Sequence, residues 1–337
     1  MAWPRSVAGC LDAPGMRIAV NPLITMVLRR IALSVLLLAA ISVLIFAGTE
    51  LLPGDVAQSI LGQTATPEAL ANLRAELGLD RPAHQRYLGW LTSFLQGDMG
   101  TSLTAGQDIA SMISGRLGNT LFLAGWAALI AVPLAIFLGL VAVHYRDGFV
   151  DKLISYTTLA AISLPEFFIG YVLVYLFAVT WNILPSHAIV YSGMPFAERM
   201  AAIALPCATL TLVVLAHMMR MTRAALLNVM SSPYMETATL KGLPPFRIVF
   251  HHALPNAISP IITVVVLNLA YLVVGVVVVE IIFVYPGMGQ LLVDHVVKRD
   301  VPVVQSAGLV FAAIFILLNM IADILSILAN PRLRHPQ

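Results

Sequence analysis

The chain has 337 residues, of which 59% are hydrophobic and 11% charged, and its mean hydropathy is +0.90. Water-soluble chains carry roughly 25% charged residues, so the sequence falls in the membrane class. A net charge of +2 argues against a nucleic-acid or acidic-substrate role, and two cysteines, Cys10 and Cys207, allow neither a disulfide framework nor a metal-ligand spacing.

Residues 1–25 have no helical or strand period. They read either as a tail without regular structure or as sequence upstream of a start at Met16 or Met26. The second is favoured because Met26-Val-Leu-Arg-Arg leads directly into an apolar span. A bilayer core about 30 Å thick needs roughly 20 apolar residues per helix. Six stretches qualify: Val27–Gly48, Leu121–Val143, Leu153–Val179, Ala201–Met219, Ile258–Val284 and Val303–Leu328. The first lies too deep and is too long for a cleaved signal segment, and no small-residue cleavage site follows it. An all-α integral membrane protein with six spans is expected. It divides into a tail (1–25), span one (26–48), a helical loop (49–117), a core holding spans two to six (118–330) and a short C-terminal tail (331–337).

The 49–117 loop carries helix punctuation. Thr66-Pro67-Glu68 is an N-cap, a first-position proline and an acidic first turn, and Gly78 closes the helix. A second helix is expected from Pro82 to Leu95 and a third from Asp108 to Leu117. Lys and Arg are distributed 12 to 7 in favour of the side holding both termini and the loop at 220–257. The positive-inside bias then makes that side cytoplasmic.

Three carboxylates fall within spans, where a charge is costly: Glu166, Glu280 and Asp323. Glu280 lies near the end of span five, just before Tyr285-Pro286-Gly287, and Asp323 towards the end of span six. Pro165 breaks helix three beside Glu166. A proton relay would need such groups facing one another at mid-depth, whereas structural hydrogen bonding would not. No Gly-Lys pair occurs, so no phosphate-cradling Walker A loop can form; neither His-Glu-x-x-His nor Gly-x-Ser-x-Gly is present. His251 and His252 are adjacent and point about 100° apart on a helix, so they read as surface residues rather than metal ligands.

Between spans four and five, Arg220 to Pro260 spells out a rigid elbow. Ser232 suits an N-cap, Pro233 the first helical position, Glu236 the first turn and Gly242 the left-handed stop. Leu243-Pro244-Pro245 forces a corner, and a second helix is expected from Phe246 to Ala253, broken by Leu254-Pro255. A basic amphipathic loop resting on an anionic leaflet would explain the charges but not the fixed shape. A projecting rigid shape favours docking to a protein socket.

Glu236-Thr-Ala238, Gly242 and Leu254-Pro255 together resemble the EAA motif of ABC-importer permeases. The chain from Met26 to Arg334 is similar to the dipeptide/oligopeptide/nickel branch of that family. Supporting strings are LLPGD (51–55), LGLDRPAHQRYLGWL (77–91), GDMGTS (97–102), SLPEFFIG (163–170), HMMRMTRAALLNVM (217–230), HHALPNAISP (251–260), FVYPGMGQLL (283–292), KRDVPVVQ (298–305) and NPRLR (330–334). Departures are Thr237 for the generic middle alanine, Pro233 for a usual Asp, Thr239-Leu240 for Arg-Ala and His252 for Ile. The resemblance implies a type I (MetI-like) permease fold and an elbow seated in an ATPase subunit through Glu236, Thr237, Ala238, Lys241, Gly242, Leu254 and Pro255. Glu280, Pro286, Gly287 and Asp323 become structural or gating candidates. It further implies a second permease subunit, two ATPase subunits that bind the ATP and magnesium, and an extracytoplasmic binding protein. No catalytic residue, metal or cofactor is then expected in this chain. Substrates in the family include di- and oligopeptides, nickel, glutathione, and opine or sugar derivatives, with peptides the expectation here. The competing readings are a stand-alone ion-coupled carrier, which requires paired mid-depth carboxylates and inverted repeats, and an intramembrane enzyme.

Overall fold

Runs of Leu, Val, Ile and Ala in lipid have no water to satisfy their backbone, so they close their own hydrogen bonds as helices. The computed structural model describes residues 22–51, 56–61, 65–76, 78–191 and 193–329. Most of the 1–25 tail, most of LLPGD, and the NPRLR string with the 331–337 tail lie outside them. The described residues form thirteen α-helices and no strand, with an isolated bridge between Thr101 and Asp108. Five helices are long and apolar enough to cross a membrane, or six when the bent pair Phe149–Ser163 and Glu166–Thr180 is taken as one span.

The first span is α1 (Pro22–Glu50), followed by α2 (Val56–Leu61), α3 (Pro67–Glu76) and α4 (Ala83–Leu95). Thr66 caps α3, its hydroxyl oxygen accepting the Ala69 N–H at 3.2 Å, and Gly78 follows at φ +64°. Helix α4 lies against the end of α1: Phe46, Tyr87 and Trp90 cluster, Ser42 and Tyr87 hydroxyls meet at 2.9 Å, and Arg86 pairs with Glu50. The loop is therefore fixed to the bundle.

Helix α5 (Ile109–His144) corrects one expectation. Asp108 does begin a helix, accepting the Ser111 N–H at 2.8 Å, but that helix does not stop near Leu117. It runs unbroken for 36 residues, so the third loop helix is the first quarter of the helix that makes span two. Gly118 does not end it because the neighbouring Asn119 and Thr120 are held by the Pro286–Met288 segment.

Span three is not straight. Helices α6 (Phe149–Ser163) and α7 (Glu166–Leu173), the latter extended by a π-helical turn (Val174–Thr180), meet at 104°. Leu164 is extended at φ −90° and ψ 135°, the conformation that a following proline imposes. Helix α8 (Phe196–Met230) is the axis of the bundle, touched by α5, α6, α7 and α11 (Leu254–Ile282). At its far end Arg223 grips Asp151 of α6 through two bonds of 2.8 and 2.7 Å, a fork-to-carboxylate fit. Helix α9 (Pro233–Leu240) and the single turn α10 (Pro245–Arg247) form the elbow.

The elbow's second arm is also corrected. Leu254-Pro255 does not break it: α10 passes through a π-helical segment (Ile248–Ala253) straight into α11. A proline ring clashes with the carbonyl four residues back in α-register, and the wider π-register relieves that clash without ending the helix. The remaining helices are α12 (Met288–Val297), absent from the sequence expectation, and α13 (Val301–Ala329), which packs on α1, α11 and α12.

Candidate functional site

Two constellations stand at opposite ends of the bundle. The first is the elbow. Ser232 occupies the N-cap position, yet its hydroxyl donates to the Val229 carbonyl at 2.6 Å instead of capping α9; Pro233 follows at the first position as expected. At the other end of α9 the chain closes in a Schellman turn. The Gly242 N–H donates to the Thr239 carbonyl at 2.9 Å and the Leu243 N–H to the Ala238 carbonyl at 3.4 Å, with Gly242 at φ +75°. Met235 and Ala238 point inward, Met235 joining Ile248, Val249, Leu226 and Val143 in one apolar cluster that ties the elbow to α5, α8 and α11. Glu236, Thr237, Lys241, Gly242 and Pro255 face outward, and Leu254 is half-buried. Beside them Leu240 is 88% exposed and Phe246 54%. The elbow is thus a rigid body whose inner face is buried and whose outer face mixes charge with bare apolar side chains, the character of an interaction surface.

At the loop end, Glu280 near the end of α11 is fully buried. It does not reach for solvent. Its carboxylate accepts the Thr120 hydroxyl at 2.6 Å, the Gly289 N–H at 2.7 Å and the Gln290 N–H at 3.2 Å, and the Thr120 oxygen in turn accepts the Met288 N–H at 2.8 Å. Glu280 and Thr120 thus cap the N-terminus of α12, where a helix leaves unpaired N–H groups and the dipole favours an anion. Gly287 lies so close that any Cβ there would overlap the carboxylate. Around this clamp Tyr285 donates to the Asn119 carbonyl at 2.8 Å, the Asn119 amide donates to the Pro286 carbonyl at 2.9 Å, and Arg199 donates to the Asn119 side chain at 3.1 Å. Neither Thr120, Asn119 nor Arg199 carries a sequence signal. A Cβ at Gly287 would meet the Glu280 carboxylate and one at Gly289 the Val277 backbone, so the two closely spaced glycines mark the close packing there.

Asp300, at the turn between α12 and α13, is a second clasp. It accepts Ser102 at 2.6 Å, the Thr104 hydroxyl at 2.8 Å and N–H at 3.0 Å, and the Leu103 N–H at 3.2 Å, and it faces His295 at 3.3 Å. Burial alone pushes this carboxyl up, but the hydrogen bonds from Ser102, Thr104 and Leu103 outweigh it and hold the group below its ordinary 3.8. A carboxylate lowered by folding adds stability above its unfolded value, and that contribution disappears as pH falls through the lower folded value. Asp300→Ala should therefore release the 100–108 loop at neutral pH, read as new protease nicking there. In the unsubstituted protein the same release should begin only below about pH 3.8.

Asp323 pairs with Arg30 at 2.5 Å, joining α13 to α1, and Glu166 lies at the bend of span three. Among the described residues the three span carboxylates therefore have separate surroundings and do not form the paired array that ion coupling requires.

A bundle of five or six spans, a pinned loop at one end and a shaped elbow at the other define the transmembrane subunit of a transport system. The chain belongs to the family of binding-protein-dependent transport system inner membrane components, whose pattern it matches over residues 131–335, with the N-terminal segment of the same family over residues 23–124. It is a multi-pass inner-membrane permease subunit of an ABC importer. Among its relatives, a "Probable peptide ABC transporter permease protein" of Sinorhizobium fredii is 35% identical over 309 residues, 92% of this chain and 99% of the relative. A "Glutathione transport system permease protein" of Salmonella typhimurium is 36% identical over 309 residues, 92% of this chain and 98% of the relative.

Proposed function

We propose that this subunit forms half of a translocation route for peptides, with a second permease as its partner. Two separate ATPase subunits bind ATP and magnesium and grip the elbow, and an extracytoplasmic binding protein delivers substrate to the loop end. Both termini and the elbow face the cytoplasm, in keeping with the 12 to 7 distribution of Lys and Arg. The chain carries no cofactor or metal and no catalytic residue of its own. The observation that carries this reading is the outward face of the elbow, where Glu236, Thr237, Lys241 and Gly242 stand beside the bare Leu240. The names of the relatives above supply the substrate class.

Alternating access follows from the connection of that elbow to α8 and α11. Nucleotide-driven closure of the ATPases moves the elbow, and the two spans rock with it. Each ligand shifts the balance only by its difference in affinity for the two states. Glu280, Pro286, Gly287 and Asp323 then serve as fixed points about which the spans move, not as gates for ions. Cysteines at Glu236 and Lys241 test the reading in cells. Crosslinks from both should reach an ATPase subunit, and both thiols should be shielded from a soluble thiol reagent when the complex is assembled. Their failure to reach any nucleotide-binding protein would remove the coupling role.

A further inference from the structure

The bend in span three opens a cavity of about 360 Å³ at mid-depth, within the range of about 300–1,000 Å³ typical of small-molecule sites. Val213 and Asn268, the middle residues of α8 and α11, both line it, together with Glu166, His217 and Tyr271. Glu166 is the single Asp, Glu, Lys or Arg in that lining, and its buried Oε1 has no hydrogen-bond partner. Asn268 gives one amide N–H to the Val264 carbonyl at 2.8 Å, and its side-chain oxygen is an acceptor. The cavity thus holds one unpartnered carboxylate oxygen and no Lys or Arg to meet it.

A lipid tail is a poor complement to it. A carboxylate and an interrupted helix are tolerated at this depth only where they face a polar cavity or protein. The missing complement is a positive charge, and the apolar walls of Leu164 and Val214 beside the Tyr271 ring suit an organic ammonium better than a bare hydrated ion. Resting on the peptide-import reading, we propose that Glu166 is a recognition point on the translocation route that receives the primary ammonium group of a passing peptide. The site holds that group weakly, since a conduction site must also let its occupant leave.

The test uses the assembled permease–ATPase complex in lipid nanodiscs, without binding protein, and saturation-transfer NMR on millimolar Ala-Ala or N-acetyl-Ala-Ala. Ala-Ala should give signal, propylammonium should compete for it, and the acetylated peptide should bind at least roughly tenfold more weakly, as loss of a charge-assisted bond implies. Glu166→Gln should lower the Ala-Ala signal to a similar extent and Glu166→Asp should retain it. Equal binding of the two peptides to the unsubstituted complex overturns the proposal, and this arm needs no variant to fold. An unchanged Ala-Ala signal from Glu166→Gln overturns it as well. ATP-driven uptake of Ala-Ala, measured in parallel with binding protein added, separates the two readings. Intact amine binding with no peptide uptake by the unsubstituted complex counts against peptide import alone. Intact uptake with no dependence on Glu166 or on the amine counts against the site alone.

Discussion

Gly242→Asp should abolish ATP-driven uptake while the subunit still inserts and assembles in the membrane. Gly242 has φ +75° and open space where a Cβ would stand, so no neighbour is displaced. The folding cost is left-handed backbone, about 1 kcal/mol, which aspartate tolerates better than most residues. The new carboxylate also follows the negative end of α9, adding about 0.3–1 kcal/mol. An unpaired charge pressed into a protein socket costs several kcal/mol, and each 1.4 kcal/mol is a tenfold loss. Docking therefore fails well before folding does. Gly242→Ala adds backbone strain without charge and should keep measurable transport. Proteoliposome uptake, set against membrane abundance of each variant, checks both, and normal uptake by Gly242→Asp would end the docking account.

The second large effect is expected at the opposite end. Glu280→Ala strips the acceptor from the Thr120 hydroxyl and from the N–H groups of Gly289 and Gln290. Each buried donor left unpaired costs about 1–3 kcal/mol, so the total is large beside an ordinary domain stability of roughly 5–15 kcal/mol. Gly287→Ala should be comparably harmful for the opposite reason, since its methyl would occupy the carboxylate's place. Combined, the two should be less harmful than their sum, because the alanine methyl enters the volume that the glutamate vacated. Thermal melting of the solubilised complex provides the cycle. Strict additivity would mean that Glu280 and Gly287 do not share that space.

Much of this architecture can be read from residue order. Apolar runs locate the spans, and the Thr66, Gly78 and Gly242 signals place helix ends where the structure has them. What local chemistry does not reveal is how a break resolves. Pro165 turns span three through 104°, while Pro255 leaves its helix continuous, because at Pro255 the preceding turn widens into π-register and at Pro165 Leu164 goes extended. Helix α12 escapes the reading because its start is secured by the Thr120 side chain, 168 residues away in sequence, together with the buried Glu280 across the turn before it. Ser232 shows the reverse error: the right residue at the right place spends its hydroxyl on Val229 instead. In the elbow, the stop at Gly242 and the corner at Pro244-Pro245 were legible, whereas the run through Pro255 was not. In the mid-depth cavity only the charge of Glu166 was legible, since helix rotation decides what surrounds it.

The elbow's two ends are mechanically unlike. Helix α8 stops at Met230, and Ser231 and Ser232 intervene before α9, whereas the segment Ile248–Ala253 continues into α11 without a gap. One attachment is a joint and the other a weld. If the elbow is driven as proposed, its push would reach α11 through continuous helix and α8 through the two-residue break at Ser231 and Ser232.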